Sequence, residues 1–195
     1  MKKIGIFLAV LLFAPSFLVA QSIGLPQQIN LRYNAQISNA PAGTCGCFAL
    51  QGGGLDANWN LFGFDKKRAT LGVVADFDVV HTATVSNANY GLTLSTFTFG
   101  PRVTVPAKKR IEVFGQTLFG LAYGSGSQFP SGNTLIPSAS SFALNLGAGG
   151  DYQLNKRISI RVLQLDYVRT QLPNTSSNWQ NNLRVGSGVT LNLHP

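Results

Sequence analysis

Hydrophobic and polar residues alternate along most of the chain. In the segment 182–193, "NLRVGSGVTLNL", apolar side chains take the odd positions, interrupted only by Ser187, and Asn, Arg, Gly and Thr take the even ones. A period of two residues is typical of a β-strand with one apolar face. Similar but in part noisier patterns occur at 28–36, 47–61, 70–80, 96–105, 110–123, 141–154 and 157–169.

The lengths and spacing of these eight segments indicate a barrel. Most are 9–14 residues long, the length that a tilted strand needs to cross a bilayer. Their connectors alternate in character. Short connectors with Lys and Arg lie near 62–68, 105–109 and 155–156, and longer polar ones lie at 37–47, 82–91, 125–141 and 171–180. The sequence therefore predicts an all-β fold, an eight-stranded antiparallel up-and-down barrel.

The composition of the polar faces indicates which face meets lipid. A soluble barrel or sandwich packs its apolar residues inside and normally shows Lys and Glu outside. Here the polar faces carry Gly, Asn, Thr and single charges, without Lys in the strands. An arginine on the lipid face near the midplane costs about 2–4 kcal/mol. We therefore predict a transmembrane barrel with a polar, filled lumen, whose network comprises Arg32, Asp56, Asp76, Arg102, Glu112, Asp151, Arg161, Asp166 and Arg184.

Two segments depart from strict alternation. In 157–169, Arg161 and Asp166 have opposite parity, so a β-bulge near 162–163 is needed to turn Asp166 into the lumen. In 70–80, Val74 and Val80 fall on the polar face.

Residues 1–20 have the three-part layout of a secretory signal peptide. Lys2 and Lys3 precede an apolar stretch that begins at Ile4, and Pro15 and Ala20 follow it. This predicts a signal peptide at 1–20 and one barrel domain at 21–195. A retained membrane anchor is the alternative, but the apolar stretch is short for a spanning helix.

Charge and hydropathy narrow the classes of partner. The net charge of +8 becomes +6 once Lys2 and Lys3 are removed. The aromatic residues do not interleave with a basic stripe, and an exported protein rarely meets DNA, so we expect no nucleic-acid partner. No run of about 18 apolar residues follows residue 20, which excludes a helical membrane protein.

The basic residues gather at the short connectors. We predict that these turns stop the strands from slipping into lipid, and contact with anionic phospholipid headgroups is a functional alternative. The residues are Lys66, Lys67, Arg68, Lys108, Lys109, Arg110, Lys156 and Arg157.

Candidate chemistry is sparse. Cys45 and Cys47 form C-G-C in the first long connector, where an oxidising compartment favours a loop disulfide, although a bridge across one glycine is tight. We expect neither a metal site nor a cofactor. His81 at the end of the third strand has Asp78 and Ser95 as conceivable companions in a lipid-modifying enzyme, but their spacing sets up no nucleophile and base.

The chain resembles the small outer-membrane β-barrel proteins of Gram-negative bacteria, the OmpA-like and OmpX-like transmembrane domains. Stretches such as "FTFGPRV", "FALNLGAGGDYQL" and "NNLRVGSGVTL" carry the resemblance, which covers 28–193. It implies a place in the bilayer of the outer membrane and insertion by the barrel-assembly machinery. It also implies that both termini lie in the periplasm and the long loops outside.

These features lead to an expectation about function. We expect a monomeric outer-membrane barrel, not an enzyme, with a structural or surface-interaction role: membrane integrity, adhesion or ligand contact through the long loops. The alternatives are a lipid A-modifying enzyme and a narrow pore. The loop ligand is not identified by the sequence.

Overall fold

The computed structural model describes residues 25–39, 47–64, 69–85, 90–174 and 178–193. The predicted signal peptide at 1–20 lies outside the described residues. The described part of the chain forms eight β-strands: β1 (Gln28–Asn39), β2 (Cys47–Phe64), β3 (Ala69–Thr82), β4 (Leu92–Lys108), β5 (Ile111–Ser131), β6 (Thr134–Gln153), β7 (Ile158–Thr170) and β8 (Gln180–Asn192).

The strands close into a barrel, which confirms the predicted architecture. Each strand pairs antiparallel with the next, and β1 pairs with β8 to complete the ring. Arg32, for example, lies opposite Gly54 on one side and Gly188 on the other. Closure removes both sheet edges, so every strand has a neighbour on each side.

The two ends of the barrel differ. We call the end that holds the β2–β3, β4–β5 and β6–β7 connections the turn end, and the opposite end the loop end. At the loop end, the segment 125–141 was predicted to be a loop, and this was wrong. β5 continues to Ser131 and β6 begins at Thr134, joined by a tight turn in which Gly132 has φ +59°. Phe129 pairs with Ile136 across this extension and packs into an apolar cluster, which holds the hairpin in register.

The predicted bulge in β7 is present. The pairing of β7 with β8 shifts between Arg161 and Gln164, so Val162 and Leu163 occupy two successive positions outside the regular ladder. The bulge places Arg161 and Asp166 on the same, inner face, where Asp166 is 1% exposed. One extra residue in a strand reverses the facing of everything beyond it.

The barrel is polar inside and apolar outside along its middle. In β1, Asn30, Arg32 and Asn34 are buried, whereas the intervening Leu31 and Tyr33 are 67% and 59% exposed. This distribution is the inverse of a soluble protein and suits a surface that faces acyl chains. Within the described part of the chain, no helix has the length and apolarity that a membrane crossing would require.

The lumen becomes apolar near the loop end. A cluster of buried side chains lies there, and Val80 of this cluster is one of the two exceptions to alternation in β3. Its members are Phe48, Leu50, Val80, Val85, Leu92, Leu94, Ala122, Phe129, Ala139, Ala143 and Leu172. The fill of the barrel is therefore polar in the middle and apolar at the loop end.

Candidate functional site

Arg32 is the centre of a group of buried charges in the middle of the lumen. Its Nη1 donates to Asp56 Oδ2 at 2.6 Å, and its Nη2 donates to Asp76 Oδ2 at 2.5 Å and to Asp78 Oδ1 at 2.7 Å. Three carboxylates from β2 and β3 thus converge on one guanidinium of β1. A planar guanidinium with five donors is the cation best suited to such multiple pairing.

Asp56 links this centre to a second group toward the turn end. It accepts from Arg102 Nη1 at 3.2 Å and from Arg161 Nη1 at 2.7 Å. Arg161 also forms two hydrogen bonds with Asp151, from Nε at 2.8 Å and from Nη2 at 3.0 Å. Asp56 therefore contacts three arginines, on β1, β4 and β7.

Arg184 of β8 forms the part of the group nearest the loop end. Its Nη1 pairs with Asp78 Oδ2, its Nε donates to Gln36 Oε1 at 3.0 Å, and its Nη2 donates to Thr96 Oγ1 at 3.3 Å. Asp78 therefore joins Arg184 to Arg32.

Side-chain amides complete the group on the β5–β7 side. Gln116 accepts from Arg102 Nε and Nη2 at 2.9 and 2.6 Å, and its Nε2 donates to Asp166 Oδ1 at 3.3 Å. Gln164 donates to Asp166 Oδ2 at 2.8 Å and accepts from Arg161. Asn34 Nδ2 also donates to Asp78 Oδ1 at 2.6 Å. We call these residues the lumen network: Arg32, Asn34, Gln36, Asp56, Asp76, Asp78, Thr96, Arg102, Gln116, Asp151, Arg161, Gln164, Asp166 and Arg184.

The lumen network draws residues from all eight strands and fills the cross-section of the barrel. Apart from Asp151, whose side chain is 8% exposed, its ion-paired side chains are at most 2% exposed. Desolvating charges is costly, and the cost is offset only where partners and hydrogen bonds are nearly complete. Most donors and acceptors of the network are paired, and Arg32 Nε and Asp76 Oδ1 have no hydrogen-bond partner among the described residues.

Glycine makes the network sterically feasible on β2. A Cβ on Gly54 would collide with the Asp78 carboxylate and would lie 2.8 Å from Asn34 Nδ2. The absence of a side chain lets these groups approach the strand.

An aromatic ring in the lumen supports two of the arginines. The Phe114 ring of β5 is buried, and the Arg102 and Arg161 guanidiniums lie 4.4 and 4.5 Å from its centroid. Cation–π contacts of this kind are favourable in a desolvated site. Sequence reasoning missed Phe114, although its even position in β5 places it on the same face as Gln116.

Eight of the nine residues predicted for the lumen meet in the network, and Glu112 does not. Glu112 is half-buried at the turn-end rim, opposite Asp151, and makes no ion pair with any described residue. It is the second residue of β5, and at this end of the barrel Arg161 pairs with Asp151. Conversely, Asp78 was considered only as a conceivable companion of His81 and was not included in the predicted lumen set, although its parity is that of Asp76.

The structure also locates the predicted turn and loop residues. Lys108 ends β4, Lys109 and Arg110 form the β4–β5 turn, and Lys156 and Arg157 lie in the β6–β7 connection, all exposed. The cluster Lys66, Lys67 and Arg68 lies outside the described residues, as does Cys45. Cys47 is the first residue of β2, and the disulfide stays a prediction.

Of the three residues considered for catalysis, His81 and Ser95 share the outer face of β3 and β4, and Asp78 lies on the inner face. His81 is exposed on the outer face, where its Nδ1 lies 2.9 Å from Thr93 Oγ1. Asp78 is fully buried in the lumen and bound to two arginines. Successive residues of a strand alternate between faces, so three positions separate an inward from an outward side chain. The Asp78 carboxylate therefore cannot serve as the acidic partner of the His81 imidazole.

A cavity of about 260 Å³ opens at the loop end, above the lumen network. Its walls are mainly apolar, with Phe48, Leu94 and Leu172 from the buried cluster. Gln180 and Asn182 of β8 add polar groups, and Gln180 is fixed by hydrogen bonds to the backbone of Leu172. Concave apolar sites with a few convergent polar groups are typical of small-molecule binding.

Comparison with solved structures identifies the fold. Neisserial surface protein A (NspA) matches with a TM-score of 0.60 and 11% identity, over 85% of this chain and 96% of that one. Ail, the attachment invasion locus protein of Yersinia pestis, matches with a TM-score of 0.53 and 15% identity, over 85% and 99% of the two chains. No family model matches the sequence, and neither does any curated protein.

The class of protein follows from the closed ring, the inverted polarity and these matches. The chain has the fold of the small eight-stranded outer-membrane β-barrels. At 11% and 15% identity, the likeness to NspA and Ail is one of fold.

Proposed function

We propose that this protein is a non-conducting outer-membrane barrel with a structural and surface-interaction role. The observation that carries the proposal is the lumen network, which crosses the barrel with residues from all eight strands. A conducting pore of this size needs a hydrated path, whereas an eight-stranded barrel is just wide enough for its own side chains. A barrel that does not conduct would then act through its exposed surfaces.

The proposal includes an orientation. The turn end and both ends of the barrel domain face the periplasm, and the loop end, which carries the β5–β6 hairpin, faces outward. Short periplasmic turns and longer outer connections are the usual arrangement in this class. A surface-interaction role accords with the name of Ail, the attachment invasion locus protein, and the shared fold carries no partner over to this chain.

Planar-bilayer recordings test the filled lumen. We expect the purified barrel to give no discrete conductance steps. Steady, voltage-driven current steps from the folded protein would contradict the proposal and favour the narrow pore. A heat-denatured sample of the same preparation controls for leakage caused by detergent.

Epitope insertion tests the orientation. A tag placed between Gly132 and Asn133, at the tip of the β5–β6 hairpin, should bind antibody on intact cells. A tag between Lys109 and Arg110 should bind antibody only after the outer membrane is permeabilised. The reverse labelling would contradict the orientation.

The loop-end cavity favours a second function, the capture of a small apolar molecule. Its volume of about 260 Å³ exceeds that of an apolar cavity of roughly 150 Å³ that binds benzene. A single aromatic ring or a short acyl chain therefore fits, with its polar end toward Gln180 and Asn182. We propose this ligand class for the loop end.

Nuclear magnetic resonance in lipid nanodiscs tests the cavity. p-Cresol should shift the methyl signals of Leu94 and Leu172, and Leu94→Trp should abolish the effect by filling the space. Leu121→Trp, on the 64% exposed outer position of β5, is the matched control and should leave binding unchanged. Equal shifts in lipid-facing methyls would indicate partition into the bilayer and contradict the site.

A further inference from the structure

A groove lies on the lipid-facing surface, near the turn end of β5, β6 and β7. It has a volume of about 470 Å³, and Val113, Tyr152, Val162 and Leu165 form its walls. All four side chains are exposed, from 37% for Tyr152 to 63% for Val162. The groove is therefore a feature of the outer surface and is separate from the lumen and from the loop-end cavity.

Two features of the sequence create this groove. Gly150 occupies an outward position of β6, where an added Cβ would meet only Glu112 O at 3.7 Å and Val113 Cγ1 at 4.0 Å. The floor is therefore low because a side chain is absent. The bulge in β7 turns Val162 and Leu163 outward in succession, at 63% and 44% exposure, and so raises one wall.

The end of the groove lies beside two cationic turns. Ile111 lines the groove and follows Arg110 directly. The Gln153 N–H donates to Arg110 O at 2.8 Å, which ties the β4–β5 turn to the end of β6. The β6–β7 turn is ordered by Asn155, whose Oδ1 accepts from the backbone N–H of Arg157 and Ile158 at 2.8 and 2.9 Å.

These cations are not neutralised locally. Lys109, Arg110 and Arg157 are exposed and form no ion pair with any residue that the structure describes. Of the nearby acids, Asp151 points into the lumen and pairs with Arg161, and Glu112 lines the lumen-side cleft together with Lys156. The turns at this end of the groove therefore carry exposed positive charge without an ion-pair partner among the described residues.

We propose that this groove binds one anionic phospholipid. An acyl chain lies along Gly150 and Ala148 between the exposed apolar walls, and the phosphate contacts Arg110 and Arg157. A second copy of the chain is a poorer occupant, because a symmetric interface would bring two sets of the same cations together. The lipid site itself does not depend on the proposed orientation. The orientation decides only which leaflet the bound lipid belongs to, and it places that lipid in the inner leaflet.

Native mass spectrometry of the detergent-purified protein tests the site. Phosphatidylglycerol and phosphatidylcholine with identical chains are titrated separately, and we expect one bound phosphatidylglycerol with about a tenfold preference, since each cation near a headgroup contributes favourably. Arg110→Gln combined with Arg157→Gln should remove the preference and leave weak binding of both lipids.

Substitutions at two glycines distinguish lipid binding in the groove from non-specific lipid binding around the barrel. Gly150→Leu fills the floor and should abolish stoichiometric binding. Gly53→Leu is the matched control, because Gly53 is also exposed on the outer face and an added Cβ would meet only Arg32 O, at 3.5 Å. Ala148→Phe is the second filling variant if Gly150→Leu does not fold, as judged by electrophoretic mobility without boiling.

Three results would overturn the proposal. They are equal binding of the two lipids by the parent protein, unchanged binding after both filling variants, and dimers of the chain in place of lipid adducts. None of them depends on conductance or on which end faces outward. Current steps in a bilayer would contradict the proposed function while leaving this lipid site intact.

Discussion

Replacing Arg32 by Met tests whether the lumen network holds the barrel together. The substitution keeps most of the side-chain volume and removes the guanidinium that contacts Asp56, Asp76 and Asp78. Asp56 retains Arg102 and Arg161 as partners, and Asp78 retains Arg184. Asp76 loses its ion pair, and its side chain is fully buried.

The expected magnitude follows from this stranded carboxylate. Removing one partner of a buried ion pair costs about 3–5 kcal/mol, because the remaining charge stays desolvated. That loss is a large fraction of the roughly 5–15 kcal/mol that stabilises a typical domain. We expect Arg32→Met to lower the free energy of unfolding by an amount in this range.

The assay is urea unfolding in phospholipid vesicles, followed by the shift between folded and unfolded bands in electrophoresis without boiling. Arg157→Met, at the exposed turn end, is the control and should change stability by less than about 0.5 kcal/mol. Arg32→Met combined with Asp76→Asn should recover much of the loss, because the buried charge is removed along with its partner. Equal stability of Arg32→Met and the parent would refute the role assigned to the network.

Three further predictions concern the barrel and its faces. Gly54→Val should lower stability by about 1–3 kcal/mol through collision with Asp78, while Gly53→Val, one position along and facing lipid, should have little effect in the same unfolding assay. His81→Ala should leave both the fold and the lipid A composition of the cell unchanged; an altered lipid A pattern in mass spectra would favour the enzyme alternative. Unboiled and boiled samples should migrate differently in electrophoresis, since a closed hydrogen-bonded ring resists detergent, and identical migration would contradict closure.

The alternation of polar and apolar residues in β1 explains why so much of the fold could be predicted. Asn30, Arg32 and Asn34 alternate with Leu31 and Tyr33, and a strand must place these two sets on opposite faces. Arginine is too costly in lipid, so the polar face has to be the inner one. The same reasoning located the β7 bulge, because only an extra residue could bring Arg161 and Asp166 to one face.

Local composition was misleading where tertiary packing dominated. The Ser- and Gly-rich segment 125–141 has the composition of a loop, yet most of it continues β5 and β6, since Phe129 packs into the apolar cluster beneath the hairpin. Val80 looked like an irregularity of alternation, and its neighbours in space show it to be part of that cluster. Such neighbours come from distant strands and leave no trace in a short window of sequence.

The sequence by itself determined the number of strands, their inner and outer faces and the enclosure of the charges, because a two-residue period and the cost of charge in lipid act locally. Only the tertiary structure decided which charges meet. Arg184 of β8 pairs with Asp78 of β3, 106 positions away, and Glu112 is left at the rim. Those contacts depend on the stagger of the strands and the closure of β1 on β8, which set the height of each side chain in the lumen.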